Sequence, residues 1–396
     1  MAAAPRHGLA AVNGTKPLIG GSRCSGVTDR RHAGKLQLQE RIRRCQSIDA
    51  ILQVVALESH RFDAVHTTTC LHAIARRWAG DSQRCSVRLA AAPEFAHLLA
   101  MQRAVVAGLA AGGVIKAGTE QALANTAWSC AVLGISETPL FSLISAAGLR
   151  RVANFSPQHL ANMSWSFATL AFVAVPLFRA ISAASAAKLF ELRPQDIANI
   201  AWSFAATRHS DPQLIELVPL AALRGISVFT PLDIANTAWA CAVLPVHNNS
   251  FFCGLREAAH RKVWQFGEHD IAGTAWALAT LEAGDEPLFE AFAASAVPQI
   301  GQFTAQHLAN TAWAYAVLEL LDRPFFDAIA AAALRLPAED FEEQGLSNTV
   351  WAFATVAVNH TRLMRALAMP SSDTIRSFKT QGLANTAWAF AAIRFE

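Results

Sequence analysis

Residues 306–320 read QHLANTAWAYAVLEL, and residues 381–393 read QGLANTAWAFAAI. The shared phrase is mostly Ala and other apolar residues around one Trp and one Asn. It recurs about Trp128, Trp165, Trp202, Trp239, Trp276, Trp313, Trp351 and Trp388, in steps of 37, 37, 37, 37, 37, 38 and 37 residues. Eight copies so regularly spaced define a repeat. A unit of this length with two apolar segments predicts helix–turn–helix repeats stacked into an all-α, α-solenoid architecture.

Each unit divides in two. The Trp helix is expected to start near nine residues before Trp, where Ser156 and Thr230 serve as N-caps, each followed by Pro (Pro157, Pro231). Phe155, Phe229, Phe266, Phe303 and Phe378 stand just before that position, where a hydrophobic staple belongs. The second helix is expected about eleven residues after Trp, often at Pro (Pro139, Pro176, Pro287, Pro324), with an aromatic two residues on. A Trp helix of about 16 residues would span about 24 Å.

Placing the phrase on a helix separates scaffold from candidate site. With about 100° per residue, the Ala, Leu and aromatic positions cover most of the circumference, and Trp with the Gln seven residues before it sits among them. Trp therefore reads as core between stacked helices. A window at about 60–160° holds the Asn three residues before Trp and the residue six before it. The Asn positions are Asn125, Asn162, Asn199, Asn236, Asn310, Asn348 and Asn385, with Gly273 the exception. The sixth position before Trp varies: Ala122, His159, Asp196, Asp233, Asp270, His307, Gly345 and Gly382. A constant polar residue beside a variable one suits reading a linear ligand one element per repeat. The Asn row is equally compatible with a structural ladder bonded to the neighbouring repeat.

A second periodic set is cationic. Arg151, Lys188, Arg224, Arg261, Lys262 and Arg335 lie 22–23 residues after a Trp, with Gln299 interrupting. They suit either phosphate contacts or charge at helix C-termini.

Upstream, RFDAVHTTTCLHAIAR (61–76) aligns with QFTAQHLANTAWAYAV (302–317), with His72 in the Trp position. Residues 46–118 thus read as a degenerate N-terminal capping repeat followed by an insertion, with 47–59 as its preceding helix. Residues 119–396 hold the eight Trp repeats, the last incomplete. Residues 1–45 carry nine Lys/Arg and two acids, net +7, and read as a disordered basic head. Their composition suits an organelle transit peptide, mitochondrial or plastid with the mitochondrion favoured, and equally an ordinary tail.

The body is different in charge. Residues 120–396 hold seventeen Lys/Arg and twenty-three Asp/Glu, net −6. Apolar residues make up 53% of the 396, yet no run of about 20 escapes polar interruption, which argues against a transmembrane helix. The seven Cys form no CxxC pair, so a zinc ribbon or disulfide framework is not expected. Cys130 and Cys241, two residues after a Trp, read as small core filler. No phosphate-binding Gly-rich loop, HExxH or GxSxG motif is present. GLAAGG (108–113) reads as a loop, and GGSRCSG (20–26) lies in the head. Asp196, Asp233 and Asp270 recur down the stack rather than pairing as a catalytic dyad. No enzyme, metal or cofactor is expected.

With LANTAWA, IANIAWSFA and GLANTAWAFA as its recurring words, the chain over about residues 47–396 resembles the octotricopeptide-repeat proteins of algal organelles and their relatives. These include the helical repeats of FAST-kinase-like and RAP-domain proteins and RNA-editing substrate-binding complex subunits. The wording is similar to proteins abundant in dinoflagellates. The resemblance implies an α-solenoid that binds organellar single-stranded RNA and supports its processing, stability or translation without catalysis. The alternative is a protein-interaction scaffold within an RNA-processing complex. Two features depart from the pattern: no RAP-like segment follows Trp388, and the body is acidic where RNA-binding arrays are usually basic.

Overall fold

A computed structural model of the chain describes residues 26–78, 89, 91–113, 118–368 and 378–393. All regular structure among the described residues is helical. The chain forms two compact units that divide between Glu191 and Leu192.

The first unit comprises α1 (Gly26–Arg44), α2 (Ile48–Glu58), α3 (Ala64–Trp78), α4 (Pro93–Ala110), α5 (Thr119–Val132), α6 (Thr138–Leu149), α7 (Pro157–Thr169) and α8 (Val175–Ala187). Helices α1, α3, α5 and α7 pack side by side in one layer, and α2, α4, α6 and α8 in a second. The other unit repeats the plan. Its Trp-helix layer is α9 (Pro194–Ala206), α11 (Pro231–Val243), α13 (Glu268–Thr280), α15 (Ala305–Val317), α17 (Glu343–Thr355) and α19 (Thr380–Ala392). Its second layer is α10 (Pro212–Gly225), α12 (Asn249–Lys262), α14 (Glu286–Ala296), α16 (Arg323–Ala333) and α18 (Thr361–Ala368). Neighbouring helices pack in series, an all-α solenoid built of hairpins.

The caps explain where the Trp helices start. Ser156, Arg193, Thr230, Gly267 and Thr304 occupy the N-cap at intervals of 37 residues. The side chains of Ser156, Thr230 and Thr304 accept the N–H three residues on. Phe155, Phe229, Phe266 and Phe303 are buried immediately before the cap, and the half-buried Phe378 precedes α19.

The helices end early, at about 13 residues rather than 16. The cause is a left-handed residue six after the Trp: Gly134 (φ 69°), Ala171 (53°), Arg208 (53°), Glu282 (50°), Glu319 (56°) and Ala357 (56°). The next N–H then folds back onto the last turn, as in Phe172 to the Phe167 carbonyl (2.9 Å) and Leu320 to that of Tyr315 (2.9 Å).

The core lies between the two layers. Phe141 meets Phe167 edge-on at 5.0 Å, and Phe326 meets Phe353 likewise at 5.1 Å. Burying each such ring contributes on the order of 2–3 kcal/mol. Cys130 and Cys241 are fully packed here, and burial pushes both thiols up to about 12.

Two expectations for the N-terminal region are corrected. Residues 26–44, assigned by composition to a disordered head, form α1, because Leu38 and Ile42 share one helix face and are buried where α1 packs on α3. Residues 1–25 of that head lie outside the described residues. The expected insertion contains α4, which packs on α2, α3 and α6 as the second helix of the α3 hairpin. Gln102 fastens it, fully buried, with its amide donating to Thr126 Oγ1 (2.7 Å) and Thr68 Oγ1 (3.1 Å). GLAAGG is the end of α4, where Gly112 turns left-handed (φ 97°) and Gly113 N–H returns to the Gly108 carbonyl (2.9 Å). His72 does stand in the Trp position, 5.0 Å from the Trp128 ring.

Candidate functional site

The variable position six before Trp is the third residue of the Trp helix, and where it carries an acceptor it caps the helix start. The backbone N–H of Ser156 donates to His159 Nδ1 (3.3 Å) and that of Thr304 to His307 Nδ1 (3.5 Å). Arg193, Thr230 and Gly267 donate in the same way to Asp196 (3.1 Å), Asp233 (2.9 Å) and Asp270 (3.2 Å). This is the capping box. Asp196 also holds the Arg193 guanidinium in a fork at 2.9 and 3.0 Å. Asp196 and Asp233 are buried. Burial raises the Asp233 carboxyl above its usual value despite the bonds from Thr230. Burial lowers His159, and holds His307 down at about 4 with help from the nearby His269. Both imidazoles are therefore neutral, with Nδ1 as acceptor. Ala122, Gly345 and Gly382 have no acceptor, and the starts of α5, α17 and α19 have no side-chain cap.

The solvent-open stripe of each Trp helix lies elsewhere. It runs through the positions seven and three before Trp, Trp itself, and four after. In α15 these are Gln306, Asn310, Trp313 and Val317; in α9 they are Gln195, Asn199 and Ala206, while Trp202 is buried. The i, i+4, i+7 spacing puts them on one face. An interior Trp helix such as α15 is covered on both flanks by its row neighbours α13 and α17 and beneath by the second layer, so this fourth side stays open.

Asn125, Asn162, Asn199, Asn236, Asn310, Asn348 and Asn385 are all half-buried on this stripe. Their side-chain amides have no hydrogen-bond partner among the described residues, and none is sealed from solvent. The neighbour-bonded ladder is therefore not what occupies them. Trp was expected in the core, and Trp128, Trp202 and Trp239 are buried there, but Trp165, Trp276, Trp313 and Trp351 are half-buried and Trp388 is half exposed, so these five reach the stripe. Successive rings adjoin, with Trp202 at 6.5 Å from Trp239 and Trp276 at 6.3 Å from Trp313, inclined by 35° and 32°. The Gln row (Gln121 and Gln158 in the first unit; Gln195, Gln306, Gln344 and Gln381 in the second) was missed as a site. Its recurrence beside the Asn, four residues apart on one face, was the available signal.

Between α15 and α17 the stripe deepens into a cleft of about 530 Å³. Gln306, Asn310, Gln344 and Asn348 line one side, and the loop residues Gly301–Thr304 and Asp340–Glu342 the other.

Of the cations, Lys262 and Arg151 hold loops together. Lys262 Nζ donates to the carbonyls of Ser227 (2.9 Å) and Phe229 (2.5 Å). Gln299, one repeat on, donates to the Phe266 carbonyl (3.0 Å), so the apparent break in the cationic row fills the same role. Arg151 donates to the Gly113 carbonyl (3.2 Å) and pairs with Glu120 at 3.6 Å. Arg261 pairs with Glu257 at 3.4 Å, and Arg335 lies alongside Gly301. Lys188 is half-buried and Arg224 exposed. Among the described residues no three His, Cys, Asp or Glu side chains group as metal ligands, and no helix is long and apolar enough to cross a membrane.

The family described as RNA-editing substrate-binding complex 6 protein matches residues 111–396, the whole run of Trp repeats. The chain belongs to that family. The matched region thus begins just before α5 and takes in every Asn and Trp of the stripe, while α1–α4 lie ahead of it. No curated protein matches the chain. The broader likeness to octotricopeptide-repeat and RAP-domain proteins has no counterpart in this match.

Proposed function

We propose that the chain is a non-catalytic, single-stranded RNA-binding subunit of an RNA-editing substrate-binding complex. The observation that carries this is the row of half-buried Asn amides with no partner among the described residues, set beside partly open Trp edges. A half-buried amide left unpaired forgoes about 1 kcal/mol of hydrogen bonding that a ligand supplies. An amide offers a donor and an acceptor together, the pattern of a base edge, and an indole adds an N–H and a flat face. Repetition once per unit matches a linear polymer. The Asp side chains that recur down the stack are engaged as caps, which supports a binding rather than a catalytic role. The Arg-rich composition of residues 1–45 supports delivery to an organelle, the mitochondrion before the plastid.

The stripe itself is uncharged, and residues 120–396 carry net −6. That supports a second reading, in which the chain serves as a scaffold gripping a basic protein of the complex. Fluorescence anisotropy of the full chain with labelled single-stranded RNA separates the two. The triple variant Asn199→Ala, Asn236→Ala, Asn310→Ala is expected to bind at least tenfold more weakly with its melting temperature unchanged. Equal binding by variant and parent removes the stripe as the RNA surface.

A further inference from the structure

Capping removes the sixth position before Trp from the choice of ligand, so the residue that varies between repeats at the open stripe must be another one. The cleft between α15 and α17 identifies it. Its loop side includes Gly301, twelve residues before Trp313, and Gln302 after it. The same position is Ser227, Trp264 and Glu339 in three other repeats of this unit, and all four are exposed. It lies in the short 3-10 loop that leads into the Trp helix.

Trp264 is the telling case. It is 75% exposed, the greatest exposure of any described Trp in this unit. An indole so exposed offers a flat face and an N–H to a ligand. The loop is held rigidly on both sides of it: Ser295 Oγ donates to the Val263 carbonyl (3.1 Å), and Gln299 to that of Phe266 (3.0 Å). The repeat that carries Trp264 is also the one whose Asn is replaced, by Gly273, and whose Gln is replaced, by His269. His269 stands edge-on to His307 at 6.0 Å. This repeat therefore lacks both amides and carries two aromatic side chains, Trp264 and His269, in its loop and first turn.

We infer that the loop residue twelve before each Trp contacts the base bound at that repeat and sets which base is preferred, and that Trp264 holds its base by stacking rather than by hydrogen bonds. The inference rests on the RNA-binding reading above. It assigns Ser227 and Glu339 to hydrogen-bonding selection and Gly301 to an unselective place. A loop whose backbone is held on both sides of Trp264 suits stacking, since the backbone has little freedom left to lose on binding.

The test is selection from a randomised single-stranded RNA library by the full chain, with sequencing and anisotropy on the selected RNA. Trp264→Ala, Trp264→Phe and Asn236→Ala/Asn310→Ala are compared with the parent. Trp264→Ala is expected to weaken binding by about tenfold and to flatten the preference at one position of the selected sequence. Trp264→Phe should restore most of both. If the Asn variant weakens binding while Trp264→Ala matches the parent in affinity and selected sequence, the inference falls and the RNA-binding reading stands. Failure of the parent to bind any RNA overturns both.

Discussion

The indole of Trp276 lies 6.3 Å from that of Trp313 across a repeat boundary, inclined by 32°. Each ring is half-buried, so one residue joins neighbouring repeats and also surfaces the open stripe. Asn310, three residues before Trp313, shares the stripe but joins nothing. The two side chains should therefore separate stability from binding.

Trp313→Ala is expected to cost about 3 kcal/mol, at the lower end for a large aromatic because part of the ring is already wet. Asn310→Ala should change stability by less than about 0.5 kcal/mol. Urea unfolding of the two variants checks this; a comparable loss in both would give Asn310 a structural role.

The His307 cap makes stability depend on pH. Its folded value is about 4 against 6.5 for the ordinary imidazole. Below pH 6.5 the unfolded chain takes up a proton that the folded chain refuses, so stability falls as pH drops from 6.5 towards 4. At pH 5 the loss from this group is about 1 kcal/mol after allowance for its partial exposure. His307→Gln retains a capping-box side chain without the titration. Its urea midpoint, compared with the parent at pH 7 and pH 5, should fall less.

Ala171, Glu319 and Ala357 hold left-handed backbone without being Gly. Replacing each with Gly removes a steric cost of about 1–2 kcal/mol and adds back about half of that in unfolded-state entropy. Glu319→Gly is expected to raise stability by about 0.5–1 kcal/mol, read as a higher melting temperature. No gain at all three sites would show that the turn is already relaxed.

Lys262 and Gln299 make the same bond to the loop ahead of a Trp helix. Lys262→Gln should keep stability close to the parent, while Lys262→Ala should lose about 1 kcal/mol. If the amine's work is confined to the loop, the salt dependence of RNA affinity will be the same for parent and Lys262→Gln. A slope shallower by about one would make Lys262 a phosphate contact as well.

Much of the architecture was legible from local chemistry. Ser156 and Thr230 announce helix starts because a hydroxyl before Pro is the best available cap, and Phe155 and Phe229 announce the staple. The ends were misjudged because most of them turn on left-handed Ala, Arg and Glu, residue types that carry no signature of a helix end. The start of the chain was misjudged for a different reason. The charged residues around Leu38 and Ile42 mask a two-residue apolar face that becomes meaningful only when α3 is there to receive it.

The sequence by itself determined the class of fold, the rhythm of its helices and the row of Asn residues, because spacing and capping are properties of one strand of chain. Only the tertiary structure decided which side of each Trp helix stays open. The helix has neighbours on both flanks and a second layer beneath, so three sides need filling, and Ala, Trp and Leu serve all of them alike. From one helix, the buried Asp196 and Asp233 look like surface residues and Trp313 like core. The packing of repeat on repeat reverses both assignments, because it puts the helix starts under cover and leaves the ring edge in the light.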